Sequence, residues 1–381
     1  MKQSGLIYKL LFFAVLFTGC VEPSATVYIA GWKDGEHGRK VTLWKNGIEQ
    51  RLTGGKYADA VALSVYVSEN NDVYVAGYDL NSMSSVAKLW KNGVDQYLNE
   101  EVVFSEANSV YVENDIVYVA GRKSNVATIW KDGVAHSLTD GKYNARAHSV
   151  YVLDNDVYVA GREQNEQKID VAKIWKNGVE QSLTDGTFHA SALSVHVSGN
   201  DVYVSGYEYV TGYGEDERGN SVAKLWKNGT EQRLTNGYYN AKANHVFVLN
   251  NDVYIAGYEY ITTHRSIAKL WKNGIPQNLT DGSNKVVAIA YSVFVSNDDV
   301  YVVGVEQDDE DIYIAKLWKN GNPRNLSAGK KDASAFSVFV KYRFNGFYRV
   351  TKMPAHNWRF GASGGVAPRK VQWEYELLCP A

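Results

Sequence analysis

Between residues 27 and 340 the chain alternates apolar and polar residues with a period of two, in short runs broken by Asn, Asp and Gly. Ser149-Val150-Tyr151-Val152 leads through Leu153-Asp154-Asn155-Asp156 into Val157-Tyr158-Val159-Ala160-Gly161. Runs of β-branched and aromatic residues this short, joined by tight polar turns, predict antiparallel strands. A third run, Ala172-Lys173-Ile174-Trp175, is followed by Asn177-Gly178, a pair suited to the positive backbone angles of a two-residue hairpin turn. That turn folds the chain back into a short fourth strand, Glu180-Gln181-Ser182-Leu183.

The same four-strand pattern recurs along the chain. Trp-Lys-Asn/Asp-Gly occurs at Trp44, Trp90, Trp130, Trp175, Trp226, Trp271 and Trp318, spaced 40–51 residues apart. A strand ending in glycine recurs at Gly31, Gly77, Gly121, Gly161, Gly206, Gly257 and Gly304. A Ser-Val-Tyr-Val type of strand begins at Ser64, Ser109, Ser149, Ser194, His245, Ser292 and Ser337. Seven such units, each with the Ser-Val-Tyr-Val strand innermost, resemble a β-propeller. The first unit opens at its second strand and the last stops after an innermost one, so three N-terminal strands and one C-terminal strand complement each other. The predicted fold is all-β: a seven-bladed propeller of four-stranded blades over 27–340, closed by a composite blade. An open solenoid, which would expose two edges, is the alternative. The chain lacks the Gly-His and Trp-Asp pairs of WD repeats, the double glycine of kelch repeats and the aspartate box of sialidases. The resemblance is therefore to propellers in general, and it implies no catalytic residues.

Residues present in every unit are expected to be scaffold. Tyr74, Tyr118, Tyr158 and the repeat tryptophans fit a core between blades. Lys88, Lys173, Lys224, Lys269 and Lys316 are expected to lay their stems on apolar surface with the ammonium in water.

Variation marks the candidate site. The connection between second and third strands is short at 122–125 and long from Tyr207 to Asn220. Such loops and the blade-to-blade loops share one face, where specificity is expected. The residue before each Ser-Val-Tyr-Val strand is Leu63, Asn108, His148, Leu193, Asn244, Tyr291 or Phe336. Two residues earlier stand Val61, Glu106, Arg146, Ser191, Lys242, Ile289 and Ser334. These positions are expected to ring the channel mouth at the ends of the blade-to-blade loops. Glu106, Asn108, Arg146, His148, Lys242 and Asn244 form a polar arc, and Tyr291 and Phe336 stand on the apolar side. A polar ligand with one hydrophobic side, such as a glycan, peptide or protein segment, suits that mouth; unselected drift of the loops is the competing account.

Composition and charge narrow the function. The chain has 381 residues, 40 Lys and Arg against 42 Asp and Glu, and a net charge of −2, without the basic footprint that nucleic acid requires. Its two cysteines, Cys20 and Cys379, cannot form a disulfide scaffold or a four-ligand zinc site. No nucleophile triad, phosphate loop or helical His pair is recognisable, and no cofactor or metal is expected.

Residues 1–19 read as an export signal: Lys2 and Lys9, the apolar run from Leu10 to Phe17, then small residues. Phe17-Thr18-Gly19-Cys20 resembles a bacterial lipobox, departing at Phe17 where Leu is usual. The resemblance implies acylation of Cys20 and a protein held at a cell-envelope membrane by its N-terminus through a short linker over 20–26; a monomer is expected. Residues 341–381 break the pattern and form a C-terminal extension. The expected function is a binding module without catalysis; the alternatives are a glycan-active hydrolase or lyase, by analogy of fold, or a lectin with one site per blade.

Overall fold

The computed structural model describes residues 24–52, 59–80, 84–98, 104–210, 219–282 and 287–343. The signal segment 1–19, Cys20, most of the 341–381 extension and the long insertion over 211–218 lie outside the described residues. The main unit, Thr26–Lys341, is a seven-bladed β-propeller. A second unit, 1–25 with 342–381, contributes to the description only where its ends extend strands Ser24–Asp34 and Ala333–Arg343.

Each blade is a four-stranded antiparallel sheet. Blade 4 runs Ala145–Leu153, Asp156–Gln164, Asp170–Lys176, Val179–Ser182 from the axis outward. Blades 2, 3, 5, 6 and 7 repeat it, with innermost strands Asp59–Val67, Ser105–Glu113, Ala190–Ser198, Ala241–Leu249 and Ala288–Ser296. Blade 1 joins the two ends: Ala333–Arg343 is its innermost strand, followed by Ser24–Asp34, Arg39–Lys45 and Ile48–Arg51. Closure by three strands plus one follows the repeat as expected.

The seven repeat tryptophans are fully buried, and Trp90, Trp130, Trp175, Trp226, Trp271 and Trp318 each pack against the preceding blade. Trp175 sits with Tyr118, Ala120, Ile129 and Val150, and Trp226 with Tyr158, Ala160 and Ile174. They and the strand tyrosines form the core between blades. At the outer hairpins Asn177 has φ 51° and Gly178 φ 80°. The Asn177 carboxamide also accepts the Val157 N–H at 2.9 Å and donates to Asp156 at 2.8 Å, tying the turn to the second strand.

The Ser-Val-Tyr-Val motif resolves into two closed rings about the axis. Each serine hydroxyl accepts the N–H of the following valine on the next blade: Ser64 from Val110, Ser109 from Val150, Ser149 from Val195, Ser194 from Val246 and Ser292 from Val338, at 3.1–3.4 Å. His245 Nδ1 replaces the hydroxyl for Val293, and Ser337 accepts from Val65 to close the circle. Two residues on, Tyr66, Tyr111, Tyr151, His196, Phe247, Phe294 and Phe339 touch in an unbroken cycle, with centroids 4.6–5.0 Å apart. Those spacings lie in the favourable range for tilted aromatic pairs.

The lysines of the third strand overturn their expectation. Lys88 and Lys224 are buried, and each is gripped by two carboxylates: Lys88 by Asp79 at 2.6 Å and Asp95 at 2.8 Å, Lys224 by Glu208 and by Glu231 at 2.6 Å. Lys173 bridges Glu163 and Glu180, while Lys269 and Lys316 pair with Glu259 and Glu306. The ammonium lies between strands, where charge demands a partner. Blades 1 and 3 carry Thr42 and Thr128 at this position, and their second strands carry Lys33 and Lys123 where the others carry an acid.

Candidate functional site: the bulged mouth of the channel

The blade glycines set the geometry of the mouth. A Cβ on Gly161 would collide with the carbonyl oxygen of Arg146, and the same holds for Gly31 and Ser334, Gly77 and Val61, Gly121 and Glu106, Gly206 and Ser191, Gly257 and Lys242, and Gly304 and Ile289. Only glycine lets the two backbones approach this closely. Just beyond that contact the innermost strand carries an extra residue: Ala147 faces Gly161 while Ser149 faces Ala160, so His148 stands in a β-bulge. Leu63, Asn108, Leu193, Asn244 and Tyr291 occupy the same bulge in their blades. Phe336 has the equivalent place in blade 1, where Gly31 lies against Ser334.

The candidate residues therefore lie inside the innermost strands, not at the ends of the blade-to-blade loops as the sequence suggested. A bulge bends the strand and re-aims one side chain, a device frequent beside functional sites. One residue column was missed from sequence. Directly paired with the outer mouth positions stand second-strand residues: Tyr78 opposite Val61, Arg122 opposite Glu106, Arg162 opposite Arg146, Tyr207 opposite Ser191 and Tyr258 opposite Lys242. Each follows its blade glycine by one position, and that column varies as freely as the two read from the innermost strand.

Six of the eight predicted residues fall into three groups. Glu106 is buried and bridges two guanidiniums, Arg122 Nη2 and Arg146 Nη2, each at 2.7 Å. Asn108 and Asn244 fasten blades together: their amide nitrogens donate to Ala147 O at 2.8 Å and Ala290 O at 2.9 Å. Tyr291 and Phe336 meet as a tilted pair with centroids 4.7 Å apart on the apolar side.

No protein-family model and no curated protein matches this chain. Its chemistry is read from this geometry alone.

Arg162 pairs with Asp170, whose backbone N–H donates to His189 Nδ1 at 3.0 Å. Lys242 has no carboxylate partner among the described residues; its ammonium lies 4.1 Å from the centre of the Tyr207 ring, a cation–π contact. Burial, and then the charges of Arg146, Arg162, Lys242 and Arg122, hold the His148 imidazole well below its ordinary range, so it is neutral. Burial likewise lowers the affinity of Arg146 and Lys242 for their protons. The same desolvation pushes Tyr207 and Tyr291 up to about 12, keeping both phenols protonated. The arc is thus electropositive, with neutral aromatic walls. Among the described residues no three His, Cys, Asp or Glu side chains come close enough to hold a metal ion; His196 belongs to the aromatic ring and His245 to the ring of serines.

The recurring Leu-Thr-Asp-Gly segment is engaged in the fold. Thr139, Thr184, Thr235 and Thr280 each accept a third-strand N–H at 3.2 Å, and Asp140 and Asp185 accept the N–H two residues on at 2.8 Å.

Proposed function

We propose that this protein is an exported propeller, anchored through an acylated Cys20, whose bulged channel mouth binds one ligand per chain without transforming it. The observation that supports the binding role is the contrast between columns: the serine and aromatic rings, the glycines and the tryptophans are nearly uniform, while the bulge and its two neighbouring columns differ from blade to blade. Scaffold demands would act on all seven blades alike. Anchoring rests on the lipobox resemblance at residues 17–20.

A single mouth site is favoured over one site per blade because the polar atoms of Leu-Thr-Asp-Gly already hold backbone N–H groups. The full-length chain in detergent micelles is to be screened against glycan and peptide arrays, with mass spectrometry of every hit before and after incubation. One unchanged ligand per chain is expected, with binding lost in Arg146→Ala/His148→Ala. Several ligands per chain would make it a multivalent lectin; a cleaved one would make it an enzyme. Metabolic labelling with a radioactive fatty acid is expected to mark the chain and to fail in Cys20→Ser.

A further inference from the structure

We propose that the basic arc of the mouth, formed by Arg122, Arg146, Arg162 and Lys242 with His148 between them, is a subsite for an oxyanion: a carboxylate, sulfate or phosphate group carried by the ligand. The inference rests on the mouth being the binding site and names the chemistry that site selects.

Register supplies the first argument. Arg146 and Arg162 stand directly opposite each other on paired strands, an arrangement of like charges that opposes folding. Three of the corresponding pairs, Val61 with Tyr78, Ser191 with Tyr207 and Ile289 with Val305, hold no cation, so the blade itself does not require one there; Arg122 opposite Glu106 and Lys242 opposite Tyr258 carry the rest of the arc. Charge supplies the second. Glu106 answers Arg122 and Arg146, Asp170 answers Arg162, and Lys242 is answered by an aromatic face alone. Four fixed cations against two carboxylates leave a local surplus in a chain whose net charge is −2.

Unmet hydrogen-bonding groups supply the third. Among the described residues Arg122 Nε, Arg146 Nε and His148 Nε2 are buried without a hydrogen-bond partner, as is the hydroxyl of Ser191 on the neighbouring blade. Guanidinium N–H groups donate only, and the imidazole and hydroxyl can also donate, so the complement they share is a group rich in acceptors. Planar guanidiniums match the paired oxygens of carboxylate, sulfate and phosphate better than any neutral hydroxyl does.

The test is thermal unfolding and calorimetric titration of the full-length chain in detergent micelles, at constant ionic strength balanced with chloride. Sulfate, inorganic phosphate and glucuronate are the probes, and glucose is the neutral counterpart of glucuronate. Saturable binding of at least one oxyanion is expected, with none of glucose. Lys242→Ile, which installs the residue that blade 7 carries as Ile289, and the milder Lys242→Gln should each weaken that binding at least tenfold while leaving the unfolding transition cooperative. Preference for sulfate and phosphate over glucuronate would assign a tetrahedral anion, and the reverse a carboxylate. Oxyanion binding that is unchanged in both Lys242 variants would overturn the subsite. So would a neutral glycan or peptide that binds the mouth where the anions do not, and in that case the binding-module reading survives. If neither anions nor the arrays give a signal, both fall together.

Discussion

His196 and His245 stand where the repeat otherwise places an aromatic ring and a serine, and both are held neutral by burial. His196 is lowered to about 3 and His245 to about 4, from an ordinary value of 6.5. A depressed histidine favours the folded state only while the ring stays neutral. Stability is therefore complete above pH 6.5 and declines as the unfolded chain takes up protons that the folded one refuses, by about 1.4 kcal/mol per pH unit for each ring. That loss continues toward pH 4 for His245 and pH 3 for His196. His196→Phe, which installs the residue found at Phe247, Phe294 and Phe339, should remove its slope and leave those of His245 and of the likewise depressed His148. Urea unfolding at pH 7 and pH 5 checks this: the variant should lose clearly less stability between the two than the parent chain, and an equal loss would mean His196 is not the group that titrates.

At the scale of the strand, glycine and bulge act as one device. Gly161→Ala would drive a methyl group into the Arg146 carbonyl, with the Trp175 ring closing the opposite side. A cost of roughly 1–3 kcal/mol is expected, together with weakened ligand binding, because the displaced carbonyl belongs to a mouth residue. Gly178→Ala serves as the control: it has φ 80° but nothing within 4 Å of the new methyl. It should cost about 1 kcal/mol from backbone strain alone and leave binding intact. Urea midpoints and titration of the two variants side by side measure both effects.

This coupling also explains what the sequence did not disclose. A bulge adds one residue without changing the apolar and polar alternation around it, so Ala147-His148-Ser149 looks like a loop running into a strand. Arg122 and Arg162 were passed over because their place at the mouth depends on register with a bulged partner. The residue one past each blade glycine was the available signal. The third-strand lysines were misjudged for a related reason: their acids lie on the strands to either side, two residues beyond a glycine or across the outer hairpin.

For the molecule as a whole, the repeats made blade number, strand order and composite closure legible, because turn chemistry and spacing were regular across the chain. The ring depends on Ala333–Arg343, which supplies Phe339 to the aromatic cycle and Ser337 to the ring of serines. A chain ending at Asp332 would leave Ser24–Asp34 as an open strand edge, prone to pairing with other copies. Its melting temperature should fall and its aggregation rise, and a peptide of residues 333–343 added in trans should restore both. Differential scanning calorimetry with and without the peptide tests this. Unchanged melting in the truncated chain would show that the ring does not need its clasp.

The clasp also orders events in time. The hydrogen bond from Val65 to Ser337 joins residues 272 positions apart, so blades 2 to 7 can be synthesised and stacked before blade 1 has its inner strand. Bringing such distant segments together adds little in equilibrium terms, since loop entropy grows only with the logarithm of length, but contacts of high sequence separation form slowly. Ring closure is then expected late in folding, with one sheet edge bare until Ala333–Arg343 has been made. Once that strand is seated, it cannot leave without breaking both rings, so the step that delays folding also guards the finished molecule against opening.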